Sequence, residues 1–162
     1  MVLIGLGANV PSKIGPPVQT LTAALGIMDN AGIRCTQQSN WYESAPVPIS
    51  DQPWFVNRVV KVETKKQPEA LLQCFHELER SFGRDRRVKN ESRVIDIDLL
   101  AFGRRVQKGG CHLPHPRMHE RAFVLLPLRE IIPDWRHPLL GKTVTELIEE
   151  LPGGQETRVM EH

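Results

Sequence analysis

No apolar run in this 162-residue chain approaches the ~18 residues needed to cross a membrane, which argues against a membrane-spanning helix. Cysteine is nearly absent. Cys35, Cys74 and Cys111 form no Cys-x-x-Cys pair, and three scattered residues make no disulfide framework, so they fit the reduced thiols of a cytoplasmic protein. The amino terminus, MVLIGLGANVP, lacks a basic leader and breaks at Gly, Asn and Pro too soon for a signal peptide. A strong charge of either sign is missing as well. A formal net charge of +2 argues against a dedicated nucleic-acid-binding domain, whose basic character is stronger and spread over a face. Neither common phosphate loop occurs: there is no Gly-x-x-x-x-Gly-Lys-Ser/Thr, and Gly5-Leu6-Gly7-Ala8-Asn9 does not complete Gly-x-Gly-x-x-Gly. The expected partners are small molecules, with no nucleic acid and no membrane, and the protein is expected to act as a monomer.

What the chain does have is one informative stretch, residues 83–100, GRDRRVKNESRVIDIDLL. Its first half holds Arg84, Arg86, Arg87, Lys89 and Arg93 against only Asp85 and Glu91, with Val88 its lone apolar side chain. That half reads as a mobile cationic loop. The second half alternates apolar and acidic residues and then runs apolar, a strand pattern. Residues i and i+2 share a face of a strand, so Asp96 and Asp98 point one way while Ile95, Ile97 and Leu99 pack on the other. Two carboxylates roughly 6.6 Å apart along one face repel each other. A divalent cation removes that repulsion, and oxygen ligands are what Mg²⁺ prefers. The arginines just upstream point to what such a metal would hold, a polyphosphate. Taken singly, the halves have plainer readings: a solvated basic loop and the wet face of an antiparallel sheet. Their adjacency, with Leu99, Leu100 and Phe102 carrying the strand into the core, favours metal and phosphate.

Periodicity and chain breakers predict the remaining elements. Residues 2–6 read as a buried strand, broken by Gly7-Ala8-Asn9 and the prolines Pro11, Pro16 and Pro17. Pro17 suits a first helical turn, and Val18, Leu21, Leu25 and Met28 recur at helical spacing to about Asn30. Residues 33–43 read as one strand, and 44–53, with Pro46, Pro48 and Pro53, as an irregular loop. In 54–63, Phe55, Asn57, Val59 and Lys61 face one way and Val56, Arg58, Val60 and Val62 the other. Pro68 opens a second helix with the stripe Leu71, Leu72, Phe75, Leu78 and Phe82, stopped by Gly83. Gly103 allows a hairpin into a short strand near Val106. Residues 117–132 read as a buried helical segment interrupted by Pro127, Thr143 starts a last short helix, and the polar tail from Gly153 is expected to fray. Strand–helix–strand–strand–helix–strand over residues 2–102 is the split β-α-β, ferredoxin-like order. It predicts an α+β sandwich, an antiparallel sheet with helices packed on it, in a single domain spanning 1–162.

Away from the acidic strand, Asn57 shares a face with Phe55. An inward amide beside an aromatic ring could read a flat polar heterocycle, or serve as a structural amide bridging backbone groups. The proline-rich loop 44–53 could close one side of such a pocket. His115 and His119 are four apart, but Pro116 breaks the helix that would align them, and neither His-Glu-x-x-His nor a third ligand is present. Zinc is therefore set aside. His115 fits a phosphate contact, His119 a surface or capping place, and Arg121 could approach the same anion. Two rival functions remain in view: a nucleotide-using glycosyltransferase with Asp-x-Asp, and an RNA-binding module footed on the basic loop.

Six segments together resemble the 6-hydroxymethyl-7,8-dihydropterin pyrophosphokinase family of folate biosynthesis. They are IGLGAN (4–9), WYESAPV (41–47), DQPWFVN (51–57), LERSFGR (78–84), SRVIDIDLLAFG (92–103) and LPHPRMHERAFVLLPL (113–128). They keep the family's order and cover nearly the whole chain to about residue 150; the most specific is R-x-I-D-I-D-L-L followed by P-H-P-x-x-x-x-R-x-F. The resemblance implies pyrophosphoryl transfer from ATP to the pterin's hydroxymethyl oxygen, with release of AMP. It implies two Mg²⁺ ions on Asp96 and Asp98, and catalytic action of Arg84 and Arg93 on the phosphates. It further implies a pterin held between Phe55 and Phe123, with Asn57 and the backbone at Ser44, Ala45 and Val47 on its edge. ATP contacts would come from Glu79, Arg84, Arg86, Arg93, Leu99, His115 and Arg121. Three departures from the family's pattern stand out: Asn90-Glu91-Ser92-Arg93 where Trp-Gly-Pro-Arg is frequent, His76 where a glutamine can occur, and Phe55 where tyrosine is frequent. No histidine or glutamate is placed as an obvious general base, which leaves Asp98 as the group to accept the proton.

Overall fold

The structure, a computed structural model, describes residues 1–84 and 92–161. In chain order its elements are β1 (Val2–Ala8), α1 (Pro17–Asn30), β2 (Arg34–Gln38), β3 (Tyr42–Ser44), β4 (Phe55–Glu63), α2 (Pro68–Ser81) and β5 (Asp96–Phe102). A 3₁₀ turn (Met118–Glu120), α3 (Ala122–Ile131), α4 (Val144–Glu149) and β6 (Thr157–Val159) complete it. The strands form one antiparallel sheet in the order β5-β1-β4-β3-β6, with β2 also paired to β4. This is the predicted ferredoxin-like order with its second strand split in two. β1 is central and covered on both faces, which is why VLIGLGA reads as apolar without alternation.

One face of the sheet carries α1 and α2. Ile4, Leu6, Val60, Val62, Ile97 and Leu99 pack there against Leu21, Met28, Leu71 and Phe75. On the opposite face Leu3, Val59 and Leu100 pack against Val124, Leu125 and Leu128 of α3 and Val144 and Leu147 of α4. α2 presents Leu71, Phe75, Leu78 and Glu79 inward and stops at Gly83, whose φ of +95° suits only glycine comfortably. Thr143 and Glu146 close a reciprocal capping box at the start of α4. Among the described residues no helix is long and apolar enough to cross a membrane.

Four expectations need correction. The strand at 33–43 is broken after Gln38, because Trp41 turns into the α1–α2 core under the Arg58 guanidinium, 3.7 Å from its ring. Ser39 bridges the break by exchanging bonds with Val59 (N to O 3.0 Å, Val59 N to Oγ 3.2 Å). The strand near Val106 shrinks to a single bridge, Gln107 with Leu113, around a turn in which Gly109 and Gly110 both have positive φ. Pro127, the sixth residue of α3, lies inside the helix without ending it; its missing N–H removes one bond of the helix, while Leu125, Leu128 and Val124 stay packed in the core. The tail does not fray: it returns as β6 alongside β3. The expected cationic loop falls, from Asp85 to Glu91, outside the described residues, and Arg86 with it.

Candidate active site

α3 and α4 cover only part of their face of the sheet. Further along that face the register lines up Asp96, Gly7 and Asn57 in one row and Asp98, Gly5 and Val59 in the next. The glycines lie directly beside the aspartates, and their missing side chains leave the floor open. A Cβ on Gly7 would lie 3.1 Å from Asn57 Nδ2, and one on Gly5 3.4 Å from Leu100 Cδ1. Neither glycine was singled out from sequence, although both sit in IGLGAN.

Two cavities open from this floor. The smaller, about 260 Å³, is walled by Ser44, Ala45, Val47, Phe55, Asn57 and Phe123, all six of the residues expected around the pterin. The larger, about 470 Å³, is lined by Arg84, Leu99 and His115 together with His76, Cys111 and His112. Arg93, Asp96, Asp98 and Arg121 border both. The cavities therefore meet at two carboxylates and two guanidinium groups.

Glu79 departs from its expected place among the nucleotide contacts. Its side chain is 1% exposed and lies beneath the floor, where Oε2 accepts from Ile97 N at 2.8 Å and pairs with Arg84. Arg84, itself 9% exposed, also donates to Asp96 Oδ1 at 2.8 Å, and Arg93 Nη1 lies 3.6 Å from Asp96 Oδ2. Glu79 thus anchors the start of β5 and aims an arginine at the first aspartate. Burial, and then the charge of Asp96, push the Asp98 carboxyl up to about 7, with Arg121 pulling the other way. His115 is driven down to about 4 by burial and then by Arg121, so it is neutral at neutral pH. Its Nδ1 accepts from Arg117 N at 3.1 Å, which leaves Nε2–H as a donor.

A carboxylate pair whose mutual repulsion raises a proton affinity is a donor set that a divalent cation suits. Among the described residues no group of three His, Cys, Asp or Glu side chains gathers anywhere. Two carboxylates with the other positions left to water and phosphate oxygens is the ordinary way Mg²⁺ is held, so the residues fit that ion.

On the amide side, Ser44 Oγ donates to Asn57 Oδ1 at 2.6 Å, which assigns the amide oxygen and leaves the Nδ2 hydrogens for a ligand. Asn57 is buried at the cavity wall, and Arg121 stacks 5.4 Å over the ring of Phe123. Asn9 escaped the sequence reading despite its place in IGLGAN. Its Nδ2 donates to Gln52 Oε1 and Pro53 O, both at 3.1 Å, and its Oδ1 accepts from Arg93 N at 2.7 Å. One buried side chain so fastens the proline-rich loop to the residue that enters β5. His119 takes no part: it sits edge-on to His137, ring centroids 5.8 Å apart, away from both cavities.

The model of the 7,8-dihydro-6-hydroxymethylpterin-pyrophosphokinase (HPPK) family matches residues 3–133. A Synechocystis protein named 2-amino-4-hydroxy-6-hydroxymethyldihydropteridine pyrophosphokinase is 38% identical over 92% of this chain and 75% of its own length. One of the same name from Methylorubrum extorquens is 39% identical over 94% and 95%. Other curated relatives are far longer, and the chain spans only 20% to 25% of three of them. Among solved structures, the Plasmodium falciparum HPPK-DHPS triple mutant superposes with a TM-score of 0.71 at 16% identity, over 92% of this chain and 44% of that one; it supports the fold alone.

Proposed function

Since the chain belongs to the 7,8-dihydro-6-hydroxymethylpterin-pyrophosphokinase family, we propose that it transfers a pyrophosphoryl group from ATP to 6-hydroxymethyl-7,8-dihydropterin. The products are AMP and the pterin diphosphate, a step of folate biosynthesis. The observation that carries the reading is the shared edge, where a cavity walled by rings and an amide meets a cationic one across Asp96 and Asp98.

In this reading the pterin ring lies between Phe55 and Phe123. Its polar edge is met by Asn57 and by the backbone at Ser44, Ala45 and Val47. ATP occupies the larger cavity with its phosphates toward the shared edge. The hydroxymethyl oxygen attacks the β-phosphorus, the bond from that phosphorus to the oxygen bridging the α-phosphate breaks, and AMP leaves with that oxygen. The hydroxyl gives up its proton to the Asp98 carboxylate as the new bond forms. Arg84, Arg93 and Arg121, with Arg86 from the basic loop, stabilise the charge on the transferring group, and neutral His115 donates from Nε2. Each arginine is expected to supply about 3–4 kcal/mol of transition-state stabilisation. Asp96 and Asp98 would hold two Mg²⁺ ions, whose chemistry when bound is neutralisation of phosphate charge.

The test is incubation with Mg-ATP and the hydroxymethyl-dihydropterin, with chromatography of the nucleotides. AMP formed in equal amount to pterin diphosphate, and lost in Asp96→Ala, is the expected result. ADP, a sugar-nucleotide product, or unchanged turnover in the variant would overturn it.

A further inference from the structure

The segment after α4 touches both walls of the smaller cavity. β6 pairs with β3 from Tyr42 opposite Val159 to Ser44 opposite Thr157, and Ala45 N donates to Glu156 O at 3.0 Å. These bonds hold Ser44 and Ala45, one wall. Gln155, just before, reaches the other. Its Oε1 accepts from Ala122 N at 2.9 Å, and its Nε2 donates to Glu120 O at 2.8 Å and to Pro152 O at 3.3 Å. Arg121 sits between the two residues so gripped, and Phe123 follows directly. α3 receives no side-chain cap from its own N-cap residue, Arg121, so the Ala122 N–H is an orphan donor that Gln155 satisfies. Gln155 itself lines neither cavity, and it lies beyond the stretch matched by the family model, which ends at residue 133.

We infer that Gln155 is a positioning residue for the pterin site: with β6 it fixes the separation between the Ser44–Ala45 wall and the Arg121–Phe123 wall. It acts through Arg121 and Phe123, and the inference rests on assigning the smaller cavity to the pterin. Two hydrogen bonds, one on each side of Arg121, leave that turn little freedom. Without them the guanidinium and the ring would sample positions in which the heterocycle is no longer sandwiched, and binding of the pterin would weaken before that of ATP.

The test uses the full chain with Gln155→Met, which keeps length and removes all three bonds, and Gln155→Glu, which keeps the acceptor for Ala122 N. Both KM values, kcat and the pterin Kd, read by the pterin's own fluorescence, are measured alongside the thermal unfolding midpoint. The Met variant is expected to raise the pterin KM and Kd roughly five- to twentyfold, the equivalent of one or two hydrogen bonds, with kcat and the ATP KM within about threefold. The Glu variant should recover most of this, its pterin KM standing roughly two- to fivefold above wild type. A Met variant with a wild-type pterin KM and Kd, or one that loses activity only in proportion to unfolded protein, would overturn the inference. Should the Met variant not fold, an unchanged pterin KM in the Glu variant overturns it alone. A wild-type protein that forms no AMP sinks the functional reading instead, and the two failures are thereby told apart.

Discussion

Glu79 offers a choice between two roles that one pair of substitutions decides. Its Oε2 holds the Ile97 N–H and the Arg84 guanidinium together under the floor of the site. Glutamine has the same shape. Its oxygen, in the place of Oε2, can keep both bonds, but the negative charge opposite Arg84 is gone, so the charge-assisted bond weakens by about 1 kcal/mol. Arg84 keeps Asp96 as a partner, which limits the damage. Alanine removes both bonds and leaves a buried N–H and a nearly buried cation short of an acceptor, at about 3–5 kcal/mol. Urea unfolding followed by tryptophan fluorescence reads these as midpoint shifts at constant slope. The expected order is wild type, then Gln, then Ala, with the ATP KM of the Gln variant within about threefold of wild type as a modest indirect change. A Gln variant that unfolds at the wild-type midpoint while its ATP KM rises tenfold would refute the positioning role and make Glu79 a nucleotide contact.

Three further outcomes are expected. Gly7→Ala places a methyl 3.1 Å from Asn57 Nδ2 and should raise the pterin KM about tenfold, the equivalent of ~1.4 kcal/mol, while the ATP KM stays put; steady-state kinetics with each substrate varied will show it. His137 is buried, its Nδ1 accepts from Leu139 N and Leu140 N, and burial, then His119 and Arg104, depress it to about 4. With the folded value below the ordinary 6.5, the unfolded chain takes up the proton first, so the stability His137 contributes is whole above pH 6.5 and lost as pH falls toward 4. Between pH 7 and 5 about 1–2 kcal/mol should disappear in urea titrations, less in His137→Asn, and an identical pH slope in the variant would refute this. Removal of divalent cations with EDTA should cut ATP binding at least tenfold by calorimetry, and Asp98→Asn should blunt the effect of adding Mg²⁺ back.

The elements with strong local signals were legible in the sequence. The apolar run of β1, the stripe of α2 and the alternation through Asp96 and Asp98 each came from residues a few positions apart. What escaped depends on partners far along the chain. β6 is three residues, and nothing in Thr157-Arg158-Val159 announces pairing with Tyr42–Ser44, over a hundred residues earlier. Gln38 to Trp41 reads as continuing strand until Trp41 is seen to fill the core. Glu79 did leave a trace: it lies four residues after Phe75 on the buried stripe of α2, and a carboxylate on such a stripe requires a buried partner. The residues that wall the smaller cavity were named together through the family resemblance, whereas Gly5, Gly7 and Asn9 emerge from strand register and loop packing.

The charges around the shared edge lead to the expectation that a nucleotide binds there together with a divalent cation. Among the described residues, Glu79, Asp96 and Asp98 face Arg84, Arg93 and Arg121, three acids against three bases. Arg84 and Arg93 are already engaged with Asp96. A triphosphate entering alone would add about four negative charges beside Asp96 in a partly buried site, and would have to draw Arg84 and Arg93 away from Asp96 to be neutralised. An accompanying divalent cation reverses that account. Held by Asp96 and Asp98, it would offset the repulsion that raises the Asp98 carboxyl, and Arg84 and Arg93 would be free to turn from carboxylate to phosphate. A site built this way is expected to bind its anion weakly without the cation, which is the behaviour the EDTA titration reads.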